Sequence, residues 1–154
     1  MKRRAFLTRL APKSGRRVLP PYTHANTDFA PCLNCSGPCI EACAEETGVL
    51  VPGAAGRPFL DFQQAGCTFC RACLEACPEG VLSEAAGRRP LAQVWIEAGA
   101  CLAHQGVVCV ACKQACPENA VTFEGMLRPR INDACTGCGL CIPACPVEAV
   151  AWSA

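Results

Sequence analysis

The stretch Cys135-Thr136-Gly137-Cys138-Gly139-Leu140-Cys141-Ile142-Pro143-Ala144-Cys145-Pro146 governs the reading of everything around it. Two residues between successive cysteines let the backbone curl round one cube, so that three thiolates reach three irons of a single [4Fe–4S] cluster. Gly137 and Gly139 permit the tight backbone approach that such wrapping needs. Cys145 lies one helical turn further on and points away, typically to the other cluster of a pair. Pro146 has no N–H to donate and helps to start the next segment. Working back along the chain, Cys67-Thr68-Phe69-Cys70-Arg71-Ala72-Cys73-Leu74-Glu75-Ala76-Cys77-Pro78 repeats the pattern position for position. A lone C-x-x-C fits a zinc ribbon or a redox dithiol equally well, but a complete quartet present twice does not.

Two further quartets are less regular. Cys109, Cys112, Cys116 and Pro117 keep the end of the pattern, while the matching first cysteine, Cys101, lies eight residues upstream of Cys109. The intervening loop holds His104, which reads as a loop residue because four cysteines already suffice for a cluster. The first quartet is Cys32, Cys35, Cys39 and Cys43, with one extra residue before Cys39 and Ala44 in place of proline. Gly37-Pro38 can absorb the extra residue. All sixteen cysteines of the 154-residue chain are thereby assigned as cluster ligands, giving four expected [4Fe–4S] clusters.

The first cysteines, Cys32, Cys67, Cys101 and Cys135, recur at intervals of 35, 34 and 34 residues. A helical-pair repeat of that period is excluded by Cys, Gly and Pro where its helices should run. Short apolar runs follow or precede the loops instead: Gly80-Val81-Leu82, Ala120-Val121-Thr122-Phe123 and Ala149-Val150-Ala151-Trp152, then Phe59-Leu60-Asp61-Phe62, Val94-Trp95-Ile96 and Arg130-Ile131. Gly and Pro clusters at 52–58 and the Glu124-Gly125 pair are turn signals between them. The pattern predicts two-stranded ribbons, helices of one or two turns and no large apolar core.

So many cysteines in a short secreted chain would suggest disulfides, which require an oxidising compartment. The arginines near Met1 superficially resemble an export signal, which needs an apolar run of roughly 7–15 residues behind them. Arg9, Pro12, Lys13, Arg16 and Arg17 interrupt every candidate run, and nothing later approaches the ~18 apolar residues of a membrane span. The expectation is a cytoplasmic protein that does not span a membrane, with reduced thiols held on metal. Zinc is disfavoured because its sites use well-separated C-x-x-C pairs.

The overall charge of +1 hides an asymmetry: residues 1–31 carry +6 and residues 32–154 carry −5. Clusters held by four thiolates make the body more anionic still. Such a body opposes nucleic acid, so no nucleic-acid partner is expected. The basic segment reads either as a solvated arm or as a docking arm for an acidic surface. No phosphate loop, nucleophile constellation or paired carboxylates stand out, so no catalytic residues are assigned and no enzyme is expected.

The fold class is therefore small, loop-rich α+β: two ferredoxin-like βαβ-type two-cluster modules with short strands and helices. Residues 1–31 form the basic arm, 32–90 the first module and 91–154 the second. Only 18 residues separate Cys116 from Cys135, which favours pairing the third quartet with the fourth and the first with the second. Cys145 then completes the set of Cys101, Cys109 and Cys112, and Cys116 that of Cys135, Cys138 and Cys141. By the same rule Cys77 joins Cys32, Cys35 and Cys39, and Cys43 joins Cys67, Cys70 and Cys73. An outer-with-inner pairing of quartets stays open at this level.

The layout resembles the NapF family, ferredoxin-type accessory proteins of the periplasmic nitrate reductase system. The likeness runs nearly end to end. It takes in Arg3-Arg4-Ala5-Phe6-Leu7-Thr8, Pro20-Pro21, the irregular first quartet and the long loop after Ala100-Cys101-Leu102-Ala103. It closes on Cys145-Pro146-Val147-Glu148-Ala149-Val150. The resemblance implies a cytoplasmic protein that binds the catalytic subunit of periplasmic nitrate reductase before export. It also implies a role in that enzyme's maturation, through assembly or reduction of its own [4Fe–4S] cluster. The competing reading is a plain electron-transfer subunit between a donor and a reductase.

Overall fold

The computed structural model describes residues 17–88 and 92–154. Most of the segment read as a basic arm, residues 1–16, lies outside the described residues. The elements are short and interleave with the cysteine loops. Helix α1 (Pro38–Glu46) follows the first loop, strands β1 (Leu50–Pro52) and β2 (Pro58–Leu60) come next, and α2 (Ala72–Glu75) lies within the second quartet. Strand β3 (Gln93–Ile96), helix α3 (Ala111–Gln114), the hairpin β4 (Val121–Glu124) and β5 (Arg128–Ile131), and β6 (Val150–Ser153) complete the order. The chain is thus a small α+β fold of few helices and short antiparallel strands.

Proline placement sets the helix lengths. Pro78 and Pro117 follow the last cysteine of their quartets, and the residue before a proline is pushed out of helical geometry. Helices α2 and α3 accordingly stop after four residues. The first quartet has Ala44 at that position, and α1 continues for nine residues. It ends at Thr47 and Gly48, whose N–H groups both donate to the carbonyl of Cys43, with Gly48 left-handed at φ 70°.

All three strand pairs are antiparallel. β1 pairs with β2, β4 with β5, and β3 with β6 across the whole span of the third and fourth quartets. Among the described residues no parallel pair of a true βαβ unit occurs. The reason is the chain's return path: β6 comes back beside β3 in the opposite direction, Ile96 opposite Val150 and Gln93 opposite Ser153. Five of the apolar runs became strands in whole or in part, as the sequence predicts. Gly80-Val81-Leu82 did not; Gly80 turns left-handed at φ 63°, and Leu82 is simply buried. Strand β1, for its part, was not among the predicted runs.

Residues 18–23, within the segment read as an arm, are core. Val18 bridges Leu60, whose N–H donates to the Val18 carbonyl at 2.8 Å. Tyr22 donates its N–H to the Gly87 carbonyl at 2.9 Å and accepts from the Ser83 N–H at 2.8 Å. Val18, Pro20, Pro21 and Tyr22 are almost fully buried, so this short piece fastens β2 to the turn after the second quartet. Each large apolar side chain buried this way contributes about 1.5–3 kcal/mol.

One buried cluster joins residues from both halves of the chain, including Val18, Leu60, Phe62, Val121, Ile142 and Val150. The ring of Phe62 meets Trp152 edge-on, with centroids 6.1 Å apart. The apolar core is therefore larger and more continuous than the sequence predicts, because the cysteines themselves line it.

Candidate metal centre

Within the second and fourth quartets two residues take left-handed geometry and reverse the backbone. In the fourth quartet they are Gly137 at φ 66° and Gly139 at φ 78°. The second quartet makes the same turns with Phe69 at φ 57° and Arg71 at φ 76°, which are strained positions for residues bearing a Cβ. Compensation is visible nearby. The Phe69 carbonyl accepts from the Tyr22 hydroxyl at 3.3 Å, and Arg71 pairs with Glu75 and Glu84.

None of the sixteen cysteines is in a disulfide, and cysteines of adjacent quartets lie beside one another as well as those of a single quartet. Burial pushes the Cys73 thiol up to about 12, and Cys67, Cys43 and Cys70 add to it. Burial likewise raises Cys141 to about 12, with Cys138, Cys135 and Cys116 acting next. Cys39 is raised to about 11 by burial and then by Cys77, Cys32 and Cys35. Cys112 is raised by burial and by Cys101, with Cys109 and Cys145 also contributing. These neighbours are compatible with the grouping expected from spacing, with Cys43, Cys77, Cys116 and Cys145 each near cysteines of the adjacent quartet.

Three of the sets line open-sided spaces of similar size. Cys116, Cys135, Cys138 and Cys141 line one, Cys43, Cys67, Cys70 and Cys73 a second, and Cys101, Cys109, Cys112 and Cys145 a third. A single zinc ion would draw its four sulfurs in to about 2.3 Å. Among the described residues no three His, Cys, Asp or Glu side chains close together as ligands of one metal ion do. Four soft sulfurs facing one shared space fit a multi-iron cube. The all-thiol donor set fits iron–sulfur chemistry as well.

Hydrogen bonds to sulfur complete the surroundings. The Ala120 N–H donates to Cys116 Sγ at 3.3 Å, the Ala149 N–H to Cys145 Sγ at 3.2 Å, and the Gly137 N–H to Cys135 Sγ at 3.4 Å. Such donors favour electron-rich sulfur and raise the potential of a bound cluster. Sequence reasoning missed Ala120 and Ala149. The repeated Cys-Pro-x-x-Ala at 116–120 and 145–149 was the available signal. It passes through Asn119 and Glu148, both left-handed, which swings each alanine N–H back onto its cysteine. His104 bonds the Pro129 carbonyl at 3.4 Å, as befits a loop residue.

Residues 67–81 match a 4Fe-4S binding domain, and residues 108–153 match the LdpA Fe-S cluster-binding domain. The ferredoxin-type protein NapF of Escherichia coli (strain K12) is 37% identical over 96% of this chain and 92% of its own length. NapF of Haemophilus influenzae is 36% identical over 86% of this chain and 77% of its own. The ferredoxin-type protein NapG of Haemophilus influenzae is 32% identical over 90% of this chain, but only 58% of NapG is covered. Among the described residues no helix is long and apolar enough to cross a membrane. With iron–sulfur domains matched at both its second and its last two quartets, and likeness along nearly its whole length, the chain belongs to the NapF family of ferredoxin-type proteins.

Proposed function

We propose that the chain carries four [4Fe–4S] clusters and serves a periplasmic nitrate reductase as a maturation partner of its catalytic subunit. The observation that supports the cluster reading is the exchange of one cysteine between neighbouring quartets, which gives every set four sulfurs. Cys32, Cys35, Cys39 and Cys77 form the first, and Cys43, Cys67, Cys70 and Cys73 the second. Cys101, Cys109, Cys112 and Cys145 form the third, and Cys116, Cys135, Cys138 and Cys141 the fourth. A bound cluster supplies one-electron chemistry, and the protein tunes it through burial, charge and N–H donors to sulfur. On this reading residues 32–90 and 91–154 each hold a pair of clusters. Likeness to NapF proteins along the whole chain supports the nitrate reductase assignment. On this reading the chain binds its partner in the cytoplasm, before export.

The second reading is an electron-transfer subunit, favoured by the ferredoxin-type character of the relatives. A turnover assay separates the two. Added to a mature reductase with an artificial donor, a maturation partner leaves the rate unchanged, yet it binds the immature catalytic subunit and raises its later activity. Faster turnover of the mature enzyme, with no capture of the immature one, would instead establish the electron-transfer role.

A further inference from the structure

Residues 62–67 press directly on residues 138–140, and at Gly66 and Cys67 the contact is between backbones. The Cys67 N–H donates to the Cys138 carbonyl at 2.7 Å. These two cysteines belong to different halves of the chain and to different sets, one with Cys43, Cys70 and Cys73, the other with Cys116, Cys135 and Cys141. The approach depends on absent side chains. A Cβ on Gly66 would run into the backbone of Leu140, 2.6 Å from its Cα, and one on Gly139 would enter the ring of fully buried Phe62. Backbone cannot move aside as a flexible side-chain tip can, so the Gly66 contact has no cheap relief.

Within each half the quartets interleave: Cys43 of the first lines the same space as Cys67, Cys70 and Cys73, and Cys145 of the fourth the same space as Cys101, Cys109 and Cys112. Each half alone would make an isolated pair. We propose that the Gly66–Leu140 seam, with its Cys67–Cys138 hydrogen bond, joins the two pairs into one row whose inner members are the second and fourth sets. Gly66 is then a positioning residue: it touches no cluster and sets how closely the inner sets approach. The path across the seam is short, running from one cysteine through its N–H to the carbonyl of the other. A single electron exchanged along such a row oxidises one member and reduces its neighbour, with no proton or co-reactant needed. This inference rests on the four-cluster reading.

The test compares Gly66→Ala with Gly99→Ala, where a Cβ meets nothing within 4 Å. Each protein is loaded, assayed for iron, fully reduced and examined by electron paramagnetic resonance at two microwave frequencies. Spin–spin splitting, unlike g-anisotropy, stays constant in field units between the two. In the unaltered chain, inner members feel two neighbours and outer members one, so two independent pairs cannot reproduce the spectrum. Gly66→Ala should keep about sixteen irons and lose the coupling between pairs, giving the spectrum of two independent pairs. Gly99→Ala should match the unaltered chain. Full iron with unchanged coupling in Gly66→Ala would overturn the role of the seam. If Gly66→Ala loses iron, the spectrum of the unaltered chain decides alone, and its reproduction by two independent pairs overturns the row. Iron far below sixteen in the unaltered chain sinks the four-cluster reading itself, which the seam variants cannot do.

Discussion

The backbone N–H of Ala149 points at the sulfur of Cys145, 3.2 Å away, across a turn made by Pro146, Val147 and left-handed Glu148. The donor draws charge from the sulfur and so favours the reduced form of whatever iron it binds. Replacing the Ala149 amide by an ester removes that N–H and changes no side chain, and ligation at Cys145 makes the exchange practicable. The potential of the cluster held by Cys101, Cys109, Cys112 and Cys145 should fall while the others stay in place. A spectroscopically monitored redox titration reads this. No change at any cluster would mean that the hydrogen bond has no electronic effect.

Ligand exchange makes a sharper prediction. On the proposed grouping Cys77, at the end of the second quartet, completes the set of Cys32, Cys35 and Cys39. Cys77→Ala should therefore remove the spectral component that Cys39→Ala removes, at a cost of up to about four irons. It should spare the component lost in Cys73→Ala. If Cys77→Ala and Cys73→Ala lose the same component, the quartets do not exchange their last cysteines.

Tyr22 fastens the N-terminal strand segment through its N–H, its carbonyl and its hydroxyl, and its ring is 2% exposed. Removing a buried aromatic ring of this size costs about 3–5 kcal/mol. Tyr22→Ala should thus lower the urea midpoint for loss of visible absorbance, with full iron before denaturant is added. A midpoint equal to that of the unaltered chain would show that residues 18–23 are dispensable to the fold.

Proton linkage sets the pH behaviour. Cys73 and Cys141, raised from 9.0 to about 12 in the folded chain, bind protons more tightly than in the unfolded one. Their contribution to the metal-free fold is complete below pH 9 and is lost as pH rises through 12. Short elements make that metal-free fold weak at best, so little secondary structure is expected at neutral pH and less between 9 and 12. Loading with iron must expel thiol protons, so cluster uptake should be slower and less complete at pH 6 than at pH 8. Far-UV circular dichroism and visible absorbance follow the two effects. Metal-free structure that grows above pH 9, or uptake indifferent to pH, would contradict the linkage.

Spacing alone made the four cysteine quartets legible, because ligand geometry is a local constraint written in intervals of two and three residues. The nearness of Cys77 to Cys39 of the first quartet agrees with the pairing expected from loop length. What escaped was non-local. Nothing near Gly66 announces that its missing Cβ is needed by Leu140, seventy-four residues later. Pro20, Pro21 and Tyr22 sit among arginines, so charge suggested a solvated arm where packing against Leu60 and Leu82 makes a core. The βαβ label failed for a similar reason, since strand direction follows the return of the chain and not the order of elements. The extra turns of α1 were readable in hindsight from Ala44, the one quartet end without proline.

The most direct test of the account is the iron and acid-labile sulfide content of the anaerobically loaded chain, with Mössbauer spectra to identify the iron. Four sets of four thiolates predict about sixteen irons and sixteen sulfides per chain, all in [4Fe–4S] form. Zinc in place of iron, or fewer than about eight irons after full reconstitution, would contradict it.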